Sequence, residues 1–218
     1  MLINRDLTDD IRNNSPYPRT LKTAYYDFLH TLRTEGERQL LNYAAINGYE
    51  KLIKKIPLSR IDIDKIKNII EDVVNKRYVN LSIVKYLVEN GGGMNVINRD
   101  AIVLATINGH LSIIRYLVEQ GLDLNVYGNR ILENAYQYGN FSIVRYLIDQ
   151  GVDISKNINY ILEFAAKYGN LPLIEYLIEN GANIRAHDNA AIRRAAKADN
   201  FAVVEYLFEK WKESLSKY

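Results

Sequence analysis

Residues 101–125 read AIVLATINGHLSIIRYLVEQGLDLN, and the same sentence returns at a spacing of thirty: ILENAYQYGNFSIVRYLIDQGVDIS over 131–155, ILEFAAKYGNLPLIEYLIENGANIR over 161–185 and AIRRAAKADNFAVVEYLFEKWKESL over 191–215. Ala105, Ala135, Ala165 and Ala195 fall in step, as do Tyr116, Tyr146, Tyr176 and Tyr206, and Gly121, Gly151 and Gly181. A fixed period in this range predicts a stacked repeat architecture. Such an array buries its core between neighbouring units, so its default product is a long solvent-facing surface rather than a catalytic cleft.

Each copy splits into two apolar stretches with helical spacing. Ile161, Leu162 and Ala165 mark a short first helix, which Gly169 ends by taking the left-handed cap conformation. Leu173, Ile174, Leu177 and Ile178 form the buried stripe of a longer second helix, and Gly181 stops it. The polar stretch ANIRAHDN then returns the chain to the next pair. The fold class this predicts is all-α.

With those residues in view, NGHLSIIRYLVEQGLDLN is similar to the ankyrin segment that closes the first helix, forms the second and enters the hairpin. The resemblance implies an ankyrin-type solenoid of stacked helix-turn-helix units that binds another protein through its concave face, without catalysis or cofactor. From Gly181 to Ala195 is fourteen residues, about three fewer than the common 33-residue unit needs. No copy begins with Thr-Pro-Leu-His, and shortened hairpin loops are expected. The thirty-residue period and the Asn/Ile/Tyr-rich vocabulary resemble the ankyrin arrays of large DNA viruses, which implies a host-cytoplasmic setting. That resemblance also raises two other roles, an adaptor presenting a target to a host ubiquitin ligase and a self-associating scaffold. Residues 1–36 carry no recognisable F-box-like segment.

The array extends upstream in weaker form. LLNYAAINGYEKLIKKI from Leu40 matches the later copies, and the interval from Gly48 to Gly109 leaves room for one irregular unit. There Val73 or Val74 stands at the alanine position, which predicts a bulge or longer turn. The expected organisation is a lead-in and capping helix over 1–36, then about six units over 37–218, the second irregular and the last a cap. Leu21, Ala24, Tyr25, Phe28 and Leu32 share one face of the leading helix. At the other end Trp211 replaces the glycine stop, so Val204, Leu207, Phe208, Trp211 and Leu215 continue one stripe on a helix that runs on.

Composition excludes several classes. The 28 basic and 26 acidic residues leave a formal charge of +2, which gives no nucleic-acid footprint, and there is no cysteine for disulfides or thiolate metal sites. No apolar stretch suits a signal peptide or membrane span, and the reading is a soluble, intracellular, monomeric protein. His30, His110 and His187 are scattered and cannot form a zinc site. His110, just after a turn glycine, is expected to be structural. Gly91, Gly92 and Gly93 follow a helix instead of opening one, so they read as a cap with slack and not a phosphate loop. Glu71 and Asp72, beside lysines, read as a solvated face.

Tyrosine, at 17 residues, is the compositional anomaly. Tyr86, Tyr116, Tyr146, Tyr176 and Tyr206 share one repeat position and read as a partly buried ladder. Tyr127, Tyr136, Tyr138, Tyr160 and Tyr168 do not repeat. The ankyrin resemblance places them on first helices or finger loops facing the concave surface, beside Asn129, Arg130, Asn159, Lys167 and His187. Tyrosine supplies rigid contact area at low entropic cost, so these ten residues form the expected partner-binding surface.

Overall fold

The computed structural model describes residues 36–215, which form helices and turns with no strand among them. They fall into two compact units, one up to Leu122 and one from Asp123. The first holds α1 (Gly36–Asn47), α2 (Glu50–Ile53), α3 (Ile63–Val74), α4 (Leu81–Gly91), α5 (Arg99–Ile107) and α6 (Leu111–Glu119). The second holds α7 (Leu124–Gln137), α8 (Phe141–Asp149), α9 (Ile158–Lys167), α10 (Leu171–Glu179), α11 (Ala186–Lys197) and α12 (Phe201–Leu215). Within each unit the first helices of successive pairs lie side by side, α1–α3–α5 and α7–α9–α11. The stripe expected to form a leading cap lies outside the described residues.

The repeated residues build the repeated joints. Gly109, Gly139 and Gly169 take φ of 75°, 76° and 74°, and the next residue's N–H turns back to the carbonyls of Ala105, Ala135 and Ala165 at 2.8–2.9 Å. Those alanines are fully buried, because a larger side chain would hold the neighbouring helix away. The second helices end the same way: Leu122, Val152 and Ala182 donate to the carbonyls of Leu117, Leu147 and Leu177 at 2.9, 3.0 and 2.8 Å. These six-to-one bonds are the Schellman closure that a left-handed glycine permits. Leu87 and Leu117 in the first unit, and Leu147, Leu177 and Leu207 in the second, form the buried spine of each.

The tyrosine ladder is present. Tyr116 and Tyr146 are buried, Tyr86, Tyr176 and Tyr206 half-buried. A cation from the preceding pair covers two rungs: Lys85 Nζ lies 5.1 Å from the Tyr116 ring centre and Arg145 Cζ 5.0 Å from that of Tyr176. His110 is structural too, its Nε2 lying 2.8 Å from the Lys76 carbonyl. Glu71 and Asp72 join neighbouring pairs, through the side-chain amides of Asn98 and Asn42 respectively.

Two expectations need correction. The return segments are not shortened hairpins. Asp123, Asp153 and Asn183, thirty residues apart, each accept the N–H two residues on, at 2.8, 2.9 and 2.9 Å. Such an Asx turn needs no strand, and the chain re-enters helix almost at once. Tyr127, Asn129 and Arg130 therefore belong to α7 itself and not to a finger. The last helix does run on through Trp211 to Leu215, but Phe208 and Leu215 on its stripe are exposed.

The irregular unit has a definite cause. Lys76 donates to Val73 O as Gly109 does to Thr106 O, and Asn80 then holds the place of His110. Arg77, Tyr78 and Val79 are thus three extra residues in the turn. Val73 and Val74 are both buried, and a cavity of about 440 Å³ opens beside the longer turn, lined by Asn47, Glu50, Val73, Lys76, Tyr78 and Asn80 among others.

Candidate protein-interaction surface

On α7 the positions 130, 133, 134, 137 and 138 follow the i, i+3, i+4, i+7, i+8 rule and share one face. The thirty-residue period repeats that face on α9, packed beside α7, and on α11, packed beside α9. The three rows read Arg130, Glu133, Asn134, Gln137, Tyr138; then Tyr160, Glu163, Phe164, Lys167, Tyr168; then Ala190, Arg193, Arg194, Lys197, Ala198. The opposite columns, such as Ile131–Ile161–Ala191 and Ala135–Ala165–Ala195, are core. The fold thus sets out a grid of side chains on adjacent first helices.

Its middle row is tightly organised. Glu163 is 3% exposed, a rarity for a carboxylate, and two side chains meet it: the Arg194 guanidinium, with Nε 3.0 Å from Oε2, and the His187 imidazole, with Nδ1 2.5 Å from Oε1. The His187 ring also stacks on Tyr160 at 4.7 Å between centres. Arg194 lies over the Phe164 ring at 4.7 Å and Lys167 at 5.7 Å, while Lys167 also covers Tyr168 at 4.8 Å.

His187, Asp188 and Asn189 at the start of α11 all adopt left-handed backbone, with φ of 49°, 56° and 60°. Each such residue costs roughly 1–2 kcal/mol in a chain of L-amino acids. The Glu163 contact, the Tyr160 stack and a 3.0 Å bond from Arg193 Nη2 to His187 O hold the turn in that shape.

The ten residues singled out from sequence fall into three groups. Tyr138 (53% exposed), Tyr160 (45%), Arg130 and Lys167 lie on the grid with open surface, and Asn129 is exposed at its edge. Four carry structural bonds or partial burial. Tyr168 is 44% exposed, yet its hydroxyl donates to Gln137 O at 3.1 Å and its ring lies against Phe141. Asn159 accepts the N–H of Asn183 at 2.8 Å, His187 clamps Glu163, and Tyr127 is half-buried in the first turn of α7. Tyr136 is the correction: at 5% exposure, with its ring 5.4 Å from Phe164, it is core. Burial first and the Glu133 carboxylate second raise its hydroxyl above the ordinary tyrosine range. Sequence reasoning passed over Phe164, Arg193, Arg194 and Lys197. Stepping thirty residues from Asn134, Glu163, Phe164 and Lys167 would have found them.

Among the described residues, twelve helices in pairs, Schellman closures at fixed spacing and a grid on the row of first helices define a helical repeat array. Ankyrin-repeat models match residues 73–158 as three copies and residues 162–208 as part of a longer series, together well over half of the chain. The chain belongs to the ankyrin-repeat family. No curated protein matches it. Ankyrin repeats as a family mediate protein–protein interaction and are typically not enzymes. Among the described residues no helix is long and apolar enough to cross a membrane, and no three His, Cys, Asp or Glu side chains gather as a metal ion would require.

Proposed function

We propose that the face formed by the first helices α7, α9 and α11 binds a protein partner, with Tyr138 and Tyr160 as its aromatic anchors and Arg130 and Lys167 beside them. One contrast carries this reading. The tyrosines of the ladder position are buried or half-buried, whereas Tyr138 and Tyr160, outside that position, stand about half exposed on adjacent rows of one surface. Exposed tyrosine with arginine beside it is the composition of an interface hot spot.

The test is capture of proteins from cell extract by the purified chain, compared with Tyr138→Ala/Tyr160→Ala. At least one captured protein should be lost or weakened by about tenfold in the double variant, at roughly 1 kcal/mol or more per ring. Tyr138→Ala alone should leave the melting temperature close to wild type, whereas Tyr160→Ala also removes the stack on His187 and should lower it modestly. Tyr146→Ala, in the ladder, is the control that should lower stability instead. A partner set retained equally by wild type and the double variant would refute this surface.

A further inference from the structure

The charges of the helices between residues 123 and 215 are unevenly distributed between the helix rows. The grid on α7, α9 and α11 carries Arg130, Lys167, Arg193, Arg194 and Lys197 against Glu133 and Glu163. Glu163 is already taken by Arg194 and His187. Arg130, Lys167 and Lys197 are exposed and have no carboxylate at ion-pair distance among the described residues. The second helices lean the other way: Asp149, Glu175, Glu179, Glu205, Glu209 and Glu213 stand against Arg145, Lys210 and Lys212, and Arg145 and Lys210 are paired with Asp149 and Glu213. A net charge near zero therefore conceals a cationic face.

We infer that this face takes an extended acidic peptide segment, running across α9 and α11 with carboxylates on Lys167 and Lys197 and an aromatic or apolar side chain against Tyr138. The inference rests on the reading of this face as a protein-binding surface and adds the chemistry of the partner. The geometry supports an extended strand of peptide. Packed helices lie about 10 Å apart and an extended chain rises about 3.3 Å per residue, so carboxylates about three residues apart meet successive rows. Lys167 lies over both Phe164 and Tyr168, which holds its ammonium on the aromatic floor rather than leaving it to sample solvent. Nucleic acid fits less well, because a phosphate backbone demands an unbroken cationic track. Here Glu133 interrupts the first row and the carboxylates of α10 and α12 belong to the same compact unit.

The experiment probes an immobilised array of short random peptides, about nine residues long so as to cross three rows, with the full chain. Retained peptides should be enriched in Asp and Glu, with pairs about three residues apart. Their binding should fall by about tenfold or more in K167E/K197E, and also on raising salt to about 0.3 M, where exposed charges are largely screened. If the reversed charges lower the melting temperature, K167Q/K197Q makes the same comparison without introducing repulsion. Peptides lost by Tyr138→Ala/Tyr160→Ala but showing no acidic excess would overturn the acidic preference and leave the binding surface standing. Peptides lost by neither variant would overturn both. A single-stranded oligodeoxynucleotide of equal charge, bound more tightly than the acidic peptides, would overturn the peptide as occupant.

Discussion

At Asp199 the chain does with an aspartate what it does with glycine at 109, 139 and 169. Its φ is 57°, and the following residue, Asn200, donates to Ala195 O at 3.0 Å as in the glycine joints. Aspartate tolerates the left-handed region better than most residues but still at a cost. Asp199→Gly should therefore raise stability by a few tenths to about 1 kcal/mol, the relief of strain exceeding the added entropy of the unfolded chain. Gly169→Ala should go the other way by more than about 1 kcal/mol. Its φ is 74°, and a Cβ there would come within 3.0 Å of Asn200 Oδ1. Asn200 cannot move freely, since its amide bonds Ala166 O at 3.0 Å and Lys167 O at 2.7 Å. Denaturant midpoints read both; a midpoint for Asp199→Gly at or below wild type would mean the aspartate side chain contributes more than its backbone costs.

The elements owe their stability to one row of side chains each. Leu147, fully buried in α8, represents the spine, and Leu147→Ala should cost about 2–5 kcal/mol by denaturant titration. A cost below about 0.5 kcal/mol would contradict the packing register. The tyrosines make a second, pH-dependent contribution. Burial raises the hydroxyls of Tyr116, Tyr136 and Tyr206 in the folded chain. The neutral ring is the form the fold favours, so this contribution is complete below the unfolded value of about 10 and is lost as pH climbs through the higher folded values. Melting temperature should fall above about pH 10, and Tyr136→Phe should shallow that fall; an unchanged slope would show that this hydroxyl is not coupled to folding.

Helix order and the joints were legible because a repeat states each one several times over. The hairpins were misjudged for a local reason: Asp123, Asp153 and Asn183 close the chain by side chain-to-backbone bonds, and the length deficit alone does not distinguish a short hairpin from none. Tyr136 was misplaced although its column was readable, since it stands one position after Ala135 with Thr106 and Ala166, both fully buried, at the matching places. The left-handed turn at 187–189 was beyond sequence reasoning. It depends on a carboxylate 24 positions away, and nothing in His-Asp-Asn announces three such residues in succession.

For the molecule as a whole, side-chain hydrogen bonds that join one helix pair to the next reach only 24 to 34 residues along the chain. Interactions that local distribute stability over the array instead of concentrating it in a central core. They also let a single joint vary without consequence for distant ones, as the Arg77–Val79 insertion illustrates. That insertion should be a protease site. Tyr78 is 71% exposed, the segment between α3 and α4 has no helix to protect it, and it offers two basic residues in succession. The Lys76 carbonyl is held by His110, so the bond after Arg77 is the freer of the two. Brief digestion with trypsin should make its first nick among the described residues after Arg77, as exposed loop tips are preferred. Replacing Arg77 by Gln should slow that nick by about tenfold without moving the melting temperature. A first nick inside any helix would mean that local opening, and not the inserted turn, governs how this array is taken apart.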